Sequence, residues 1–190
     1  VSYLPGLAPA APADDSHDGS GDEWYTPPDV WDAVRATIGY RIIDPCHAPG
    51  SPVTADRKID IRKGGDGLRD SWGDPHDWPA FVNPPYSDTS AWLARCAAEV
   101  KRGRGVIALV PMRPETRAWH AYVWPAAEVV QTIGRLRFVG SDGKQHGSGM
   151  ITTCFVCWTP PGDAWHPEHP TIGRLLAHHL RRPSVVVRAT

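Results

Sequence analysis

The chain has 190 residues, 20 of them basic and 21 acidic, for a formal net charge of -1. That length builds about one domain with a core of its own, and a charge so near zero excludes a surface that is basic all over, so any attraction for nucleic acid must be local. Cysteines at 46, 96, 154 and 157 have no framework spacing, and there is no signal peptide or apolar run of membrane length; this excludes a disulfide scaffold and a membrane protein and makes a reducing cytoplasm the default. The 20 prolines and 9 tryptophans point to a loop-rich, trimmed fold. Residues 1–21 are Ala, Pro, Gly, Ser and Asp with little to bury and read as a disordered leader, residues 22–182 as a single domain, and residues 183–190 as a tail.

Thr26 as N-cap and Pro27 at the first helical position start a helix. Its Val30, Trp31, Val34 and Ile38 share one face, and Gly39 ends it. Arg41-Ile42-Ile43 is a short strand running into Asp44-Pro45-Cys46-His47-Ala48-Pro49-Gly50, an acid followed by a turn of small residues. His47 beside Cys46 has no second ligand pair at zinc spacing nearby and reads as a loop histidine. Asp44 and Pro79 are separated by 34 residues, whereas each parallel crossover takes about a dozen or more, so the middle of the fold must be cut down. Residues 53–62 supply one short strand there, and Gly64-Gly65-Asp66-Gly67-Leu68 has the form of an Asp-Gly turn.

Ala80-Phe81-Val82 is a short apolar run that makes a buried strand, which leaves Asn83 where the strand stops, the edge at which open α/β sheets bind ligands. Pro84 and Pro85 fix φ and remove two backbone donors, so the Asn83 amide oxygen and the Pro84 carbonyl form a pair of acceptors. An exocyclic amine offers two donors to match them, and the Tyr86 ring can stack on the plane that carries the amine. The plain alternative is a strand followed by a Pro-Pro turn with a surface Tyr; the full tetrapeptide after an apolar strand favours function.

Ser87-Asp88 caps a second helix, with Trp92, Leu93, Cys96, Ala97 and Val100 on its buried face. Residues 105–110 form the next buried strand and deliver Pro111-Met112-Arg113 to the same edge as Asn83. Arg113 and Arg117, with Trp119 and His120, suit either phosphate and a flipped base or a solvated helix face. Residues 128–133 read as a strand and residues 134–138 as another, with Arg135 and Arg137 on one side of it. A Gly-rich loop then leads to a strand over 150–158, in which Cys154 and Cys157 are core thiols rather than a metal pair. A short helix over 172–180 precedes a basic end, His178 to Arg182, that suits a phosphate contact or a solvated tail.

Asn83-Pro84-Pro85-Tyr86 is similar to the catalytic motif of amino-group methyltransferases that use S-adenosylmethionine, a tetrapeptide shared by enzymes of DNA adenine N6, rRNA guanine N2 and protein glutamine. The flanking segments discriminate among these. Glu23-Trp24-Tyr25-Thr26-Pro27, Asp44-Pro45-Cys46, Asp66-Gly67-Leu68 with Trp72, and Phe81 to Ser87 resemble in order the small phage-type (Dam-like) DNA N6-adenine methyltransferases, over about residues 22–158.

The resemblance implies an α/β fold of the trimmed, Rossmann-like class I type, a mostly parallel sheet with an antiparallel hairpin at its C-terminal end. It implies S-adenosylmethionine bound by Trp24, Thr26, Pro27, Asp44, Pro45, Cys46 and Asp66, with Asp66 accepting from the adenine amine and Asp56 or Asp60 meeting the ribose. The usual Gly-x-Gly after the first strand is missing, and Gly50 alone stands for it. Asn83, Pro84, Pro85 and Tyr86 would be catalytic and Arg113, Arg117, Arg135 and Arg137 would bind double-stranded DNA, in a bacterial or phage-infected host cytoplasm, with no metal. RNA or protein glutamine as substrate, or a degenerate fold that only binds nucleic acid, are the alternative readings.

Overall fold

Short runs, most of them rich in β-branched and aromatic residues and too brief for helices, pair into a sheet of seven strands among the described residues. The computed structural model describes residues 25–132, 136–139, 152–160 and 170–188. Its strands are β1 (Ile43–His47), β2 (Arg57–Asp60), β3 (Ala80–Val82), β4 (Val106–Pro111), β5 (Glu128–Thr132), β6 (Thr153–Trp158) and β7 (Ser184–Arg188), and its α-helices are α1 (Pro28–Ile38), α2 (Thr89–Lys101) and α3 (Ile172–His179). The sheet order is β2-β1-β3-β4-β6-β5-β7. Neighbours are parallel from β2 to β4 and antiparallel from β4 to β7. No helix among the described residues is long and apolar enough to cross a membrane.

The period of two along each strand divides the core. Val106, Ala108 and Val110 of β4 face α2 and pack with Trp72, Trp92, Leu93, Cys96 and Trp119. Ile107 and Leu109 face the other way and pack with Val30, Trp31, Val34, Phe81 and Leu176 from α1, β3 and α3. Helices thus cover both faces, and β4, buried along its whole length, is apolar throughout. The middle is trimmed as expected. Residues 48–56 link β1 to β2 without a helix, and a single 3₁₀ turn, Ile61–Lys63, is the one helical element between β2 and β3.

Several local expectations give way to tertiary structure. Helix α1 starts at Pro28 with Pro27 at the N-cap position, not at Pro27 after a Thr26 cap. The short strand expected at 41–43 begins at Ile43 and continues through Asp44 to His47, with an irregular register against β2. Residues Leu136 to Phe138 are not a strand; Val139 instead makes an isolated antiparallel bridge to Tyr25. The antiparallel part is therefore larger than one hairpin, because β6 inserts between β4 and β5 and pairs with both. The tail placed outside the domain supplies β7, whose Val185-Val186-Val187 run pairs with β5. The basic end packs on α1: Arg182 Nε lies 3.1 Å from Asp29 Oδ2 and His179 Nδ1 lies 3.2 Å from Thr37 Oγ1.

A buried ion cluster, invisible to pattern, holds the end of α2. Glu99 is 1% exposed and Arg104 0%. Arg104 Nε donates to Glu99 Oε2 at 2.9 Å, and Arg102 and Arg95 approach Oε1 at 2.8 and 3.1 Å. Arg104 also donates to the carbonyls of Gly73 and Trp78, tying α2 to the segment that leads into β3. Burial pushes the Arg104 guanidinium below its usual pKa, and the Glu99 carboxylate opposes that. Removing Glu99 leaves the cation buried and unpaired, so Glu99→Ala should destabilise the fold by about 3–5 kcal/mol. Arg102→Ala, which removes the half-exposed partner, should cost about 1 kcal/mol or less. Chemical denaturation of the two variants checks the contrast.

Candidate active site

Parallel pairing of β1 with β3 sets Ile43 opposite Ala80, so the Asp44–His47 segment and Asn83 reach the same edge of the sheet. β4 ends there too, in register with β3. Asn83 donates from its amide nitrogen to Thr26 Oγ1 at 3.3 Å. Thr26 is 0% exposed, so this bond pins the amide plane. The Thr26 hydroxyl therefore serves Asn83 rather than the start of α1.

Asp44 is 5% exposed and saturated by its neighbours. Its Oδ1 accepts from the Cys46 backbone N–H at 3.1 Å and from Cys46 Sγ at 3.6 Å, and its Oδ2 lies 3.1 Å from His47 Nδ1. Burial first and the Asp44 charge second push the Cys46 thiol well above its usual pKa, against a smaller lowering by the Asn83 backbone. Cys46 is thus an uncharged lining residue and not a nucleophile.

Two cavities open at this edge. The first, about 170 Å³, lies between Thr26, Asp44, Cys46, His47, Asn83 and Pro85, with Tyr25, Ser51 and Ile61 on its wall. The second, about 270 Å³, is lined by Ile59, Ile61, Asp66, Leu68, Pro85 and Trp92, and shares Cys46, Ile61 and Pro85 with the first. The loop carrying Asp66 is seated on β1: a Cβ on Gly67 would stand 1.8 Å from the Pro45 carbonyl oxygen and 2.7 Å from Trp92, so no other residue fits. Trp72 fastens the same loop by donating from Nε1 to the Gly67 carbonyl at 2.7 Å. Asp66 itself closes an Asx turn, accepting from Leu68 N at 2.9 Å.

The family model for DNA N-6-adenine-methyltransferase (Dam) matches residues 14–162, a span that holds both cavities and Asn83-Pro84-Pro85-Tyr86. The chain belongs to this family. In the comparisons with curated proteins and with solved structures, nothing matches. The match starts inside the segment expected as a leader and ends short of α3 and β7.

Within this Dam-family edge, the structure gathers Thr26, Asp44, Cys46, Asn83 and Pro85 around one cavity and puts Asp66 on the next. Pro27 and Pro45 shape the walls without lining either, Pro27 through its carbonyl at the start of α1 and Pro45 as the seat of Gly67. Trp24 and Arg135 lie outside the described residues. Of the two candidate ribose acids, Asp56 immediately precedes β2 and accepts from Ile42 N at 3.3 Å, while Asp60 ends β2 between Ile59 and Ile61, which line the second cavity. Tyr86 faces inward. Its ring meets Phe138 edge-on at 6.4 Å, its hydroxyl is buried with no partner among the described residues, and burial raises its pKa. Pro84 is buried.

Arg113 and Arg117 are exposed on the segment after β4, and Arg137 is exposed beside Phe138. Trp119 does not join them: it is 0% exposed and packs edge-on against Trp124 at 5.3 Å, a core residue rather than a platform for a base. Sequence reasoning missed Tyr25, His47, Ser51 and Ile61 as cavity residues. Tyr25 donates to the Pro49 carbonyl at 2.7 Å and so clamps the turn after β1. Its place between Trp24 and Thr26 was the available signal. No group of three or more His, Cys, Asp or Glu that could hold a metal is present among the described residues. Cys154 and Cys157 are buried in β6, with burial pushing the Cys154 thiol up to about 12.

Cys46 is half-buried, whereas Cys96, Cys154 and Cys157 are buried. Because its raised pKa keeps the thiolate scarce, iodoacetamide should label Cys46 slowly near neutral pH and faster as pH rises. Asp44→Asn removes the nearby negative charge, lowers the thiol pKa and should speed labelling. Mass spectrometry of the timed reaction checks both directions.

Proposed function

We propose that this DNA N6-adenine methyltransferase takes its methyl group from S-adenosylmethionine bound across the two joined cavities, and that Asn83 and the Pro84 carbonyl hold the amine of a flipped adenine. The observation that carries the reading is the hydrogen bond from Asn83 to the buried Thr26, because it sets the orientation of the amide in the wall of the first cavity. The donor set also fits. The second cavity offers Ile59, Ile61, Leu68 and Trp92 to a flat purine and the Asp66 carboxylate to its amine, and the first offers polar groups to an amino acid. Asp60 is the ribose acid in this reading, since Ile59 and Ile61 on either side of it line the second cavity.

When bound, S-adenosylmethionine supplies a methyl group already activated by its sulfonium, so the protein need not provide the hard chemistry. The chain's own residues orient and polarise. Two acceptors, the Asn83 amide oxygen and the Pro84 carbonyl, draw on the amine protons and raise electron density on N6 as it is held in line for transfer. A base inside a duplex cannot reach this edge, so the adenine is extruded from the stack. Arg113, Arg117 and Arg137 are the phosphate contacts in this reading. Tyr86 stacks on the base only if its ring leaves Phe138; in its observed place it anchors the turn that carries Pro85.

Asn83→Ala should lower methyl transfer by ~10² to 10³ while leaving cofactor affinity nearly unchanged. Thr26→Val, which keeps shape and removes the hydroxyl, should give a smaller loss of the same kind, and Thr26→Val in the Asn83→Ala background should cost little more. Tritiated methyl incorporation into duplex DNA, with the product identified as N6-methyladenine, measures all three. Near-normal turnover by the Asn83 variant overturns the mechanism, and label found on RNA or protein instead overturns the substrate. For the cofactor, Gly67→Ala should displace the Asp66 loop and weaken S-adenosylmethionine binding by calorimetry; unchanged affinity would remove that loop from the site.

A further inference from the structure

The first cavity contains a hydrogen-bonded histidine–carboxylate pair that the proposed chemistry leaves unused. His47 lines it, with its side chain 12% exposed and its Nδ1 held 3.1 Å from Asp44 Oδ2. Asp44 commits its other oxygen to the Cys46 backbone, so the carboxylate is spent on orienting the ring, and Nε2 is the ring nitrogen left to meet a ligand. Among the described residues, no Lys or Arg lines this cavity. The two cavities also differ in character: the one with Ile59, Leu68 and Trp92 suits a base, and the one with Thr26, Asp44, His47 and Ser51 suits a zwitterion.

We infer that His47, held by Asp44, binds the carboxylate of the cofactor's amino-acid end through Nε2. The inference rests on the reading that S-adenosylmethionine spans the two cavities. A ring whose Nδ1–H is given to Asp44 donates from Nε2 only as the imidazolium, so ligand binding sets one cation between two carboxylates and draws a proton onto His47. On the far side of His47, a cleft of about 470 Å³ presents Arg57, Lys58 and Lys63 with Asp60 and Asp70.

The test compares S-adenosylhomocysteine with 5′-methylthioadenosine, which keeps the adenosine and the sulfur and lacks the amino acid. Calorimetry on the full chain should show that His47→Ala weakens S-adenosylhomocysteine binding by roughly 10- to 100-fold and leaves 5′-methylthioadenosine unchanged, the scale of a lost charge-assisted hydrogen bond. Repeating the titration above neutral pH, in buffers of different ionisation enthalpy, should reveal proton uptake with S-adenosylhomocysteine alone. His47→Gln keeps the reach of the side chain without a titratable group and should abolish that uptake. Equal losses for both ligands, no loss for either, or uptake that survives in His47→Gln would overturn the assignment while leaving the cofactor reading in place. A native chain that binds neither ligand would overturn both.

Discussion

Parallel alignment of β1, β3 and β4 is the constraint on which the site depends. Parallel neighbours end on the same side, so a segment after β1, the tetrapeptide after β3 and the basic segment after β4 meet without further design. Everything that lines the cavities is hung from that edge or laid against it. Thr26 comes from the chain before α1, Asp66 from the loop seated on Pro45, and Tyr25 from a bridge to Val139. Trimming makes these contacts more direct: with no helix between β1 and β2, the loop of Asp66 can touch the β1 backbone itself.

The tetrapeptide and its strand were legible because apolar runs and prolines carry local information. Ala80-Phe81-Val82 could be little else than a buried strand, and β4 likewise. What escaped was set by partners distant in the chain. Thr26 has every local mark of an N-cap, yet the alternative partner, Asn83, lies across the cavity. His47 reads as a loop residue until the continuation of β1 brings it onto the wall. The order of β5, β6 and β7 was illegible for the same reason, since a run of valines states a preference for a strand and not for a neighbour.

Buried charge provides a second lesson about reach. Glu99 belongs to α2 and Arg104 to the turn after it, and nothing local in either marks the other as its partner. Together they are a sealed ion pair with carbonyls as further acceptors. Trp119 failed in the opposite direction: an aromatic next to cations suggested a base platform, but the π-helical turn over Trp119–Val123 carries it into the core.

The central place of β6 has a consequence for how the molecule is made. The four parallel strands and α2 are synthesised first, and they present the apolar flank of β4 as an open edge. That flank is covered only when Thr153–Trp158 arrives, and β5 gains its inner neighbour at the same moment. Contacts so remote in sequence close slowly, and an uncovered apolar edge is a template for pairing with other chains. A nascent chain stalled before residue 153 is therefore the species most exposed to aggregation, and the sheet is completed from its middle rather than from its rim.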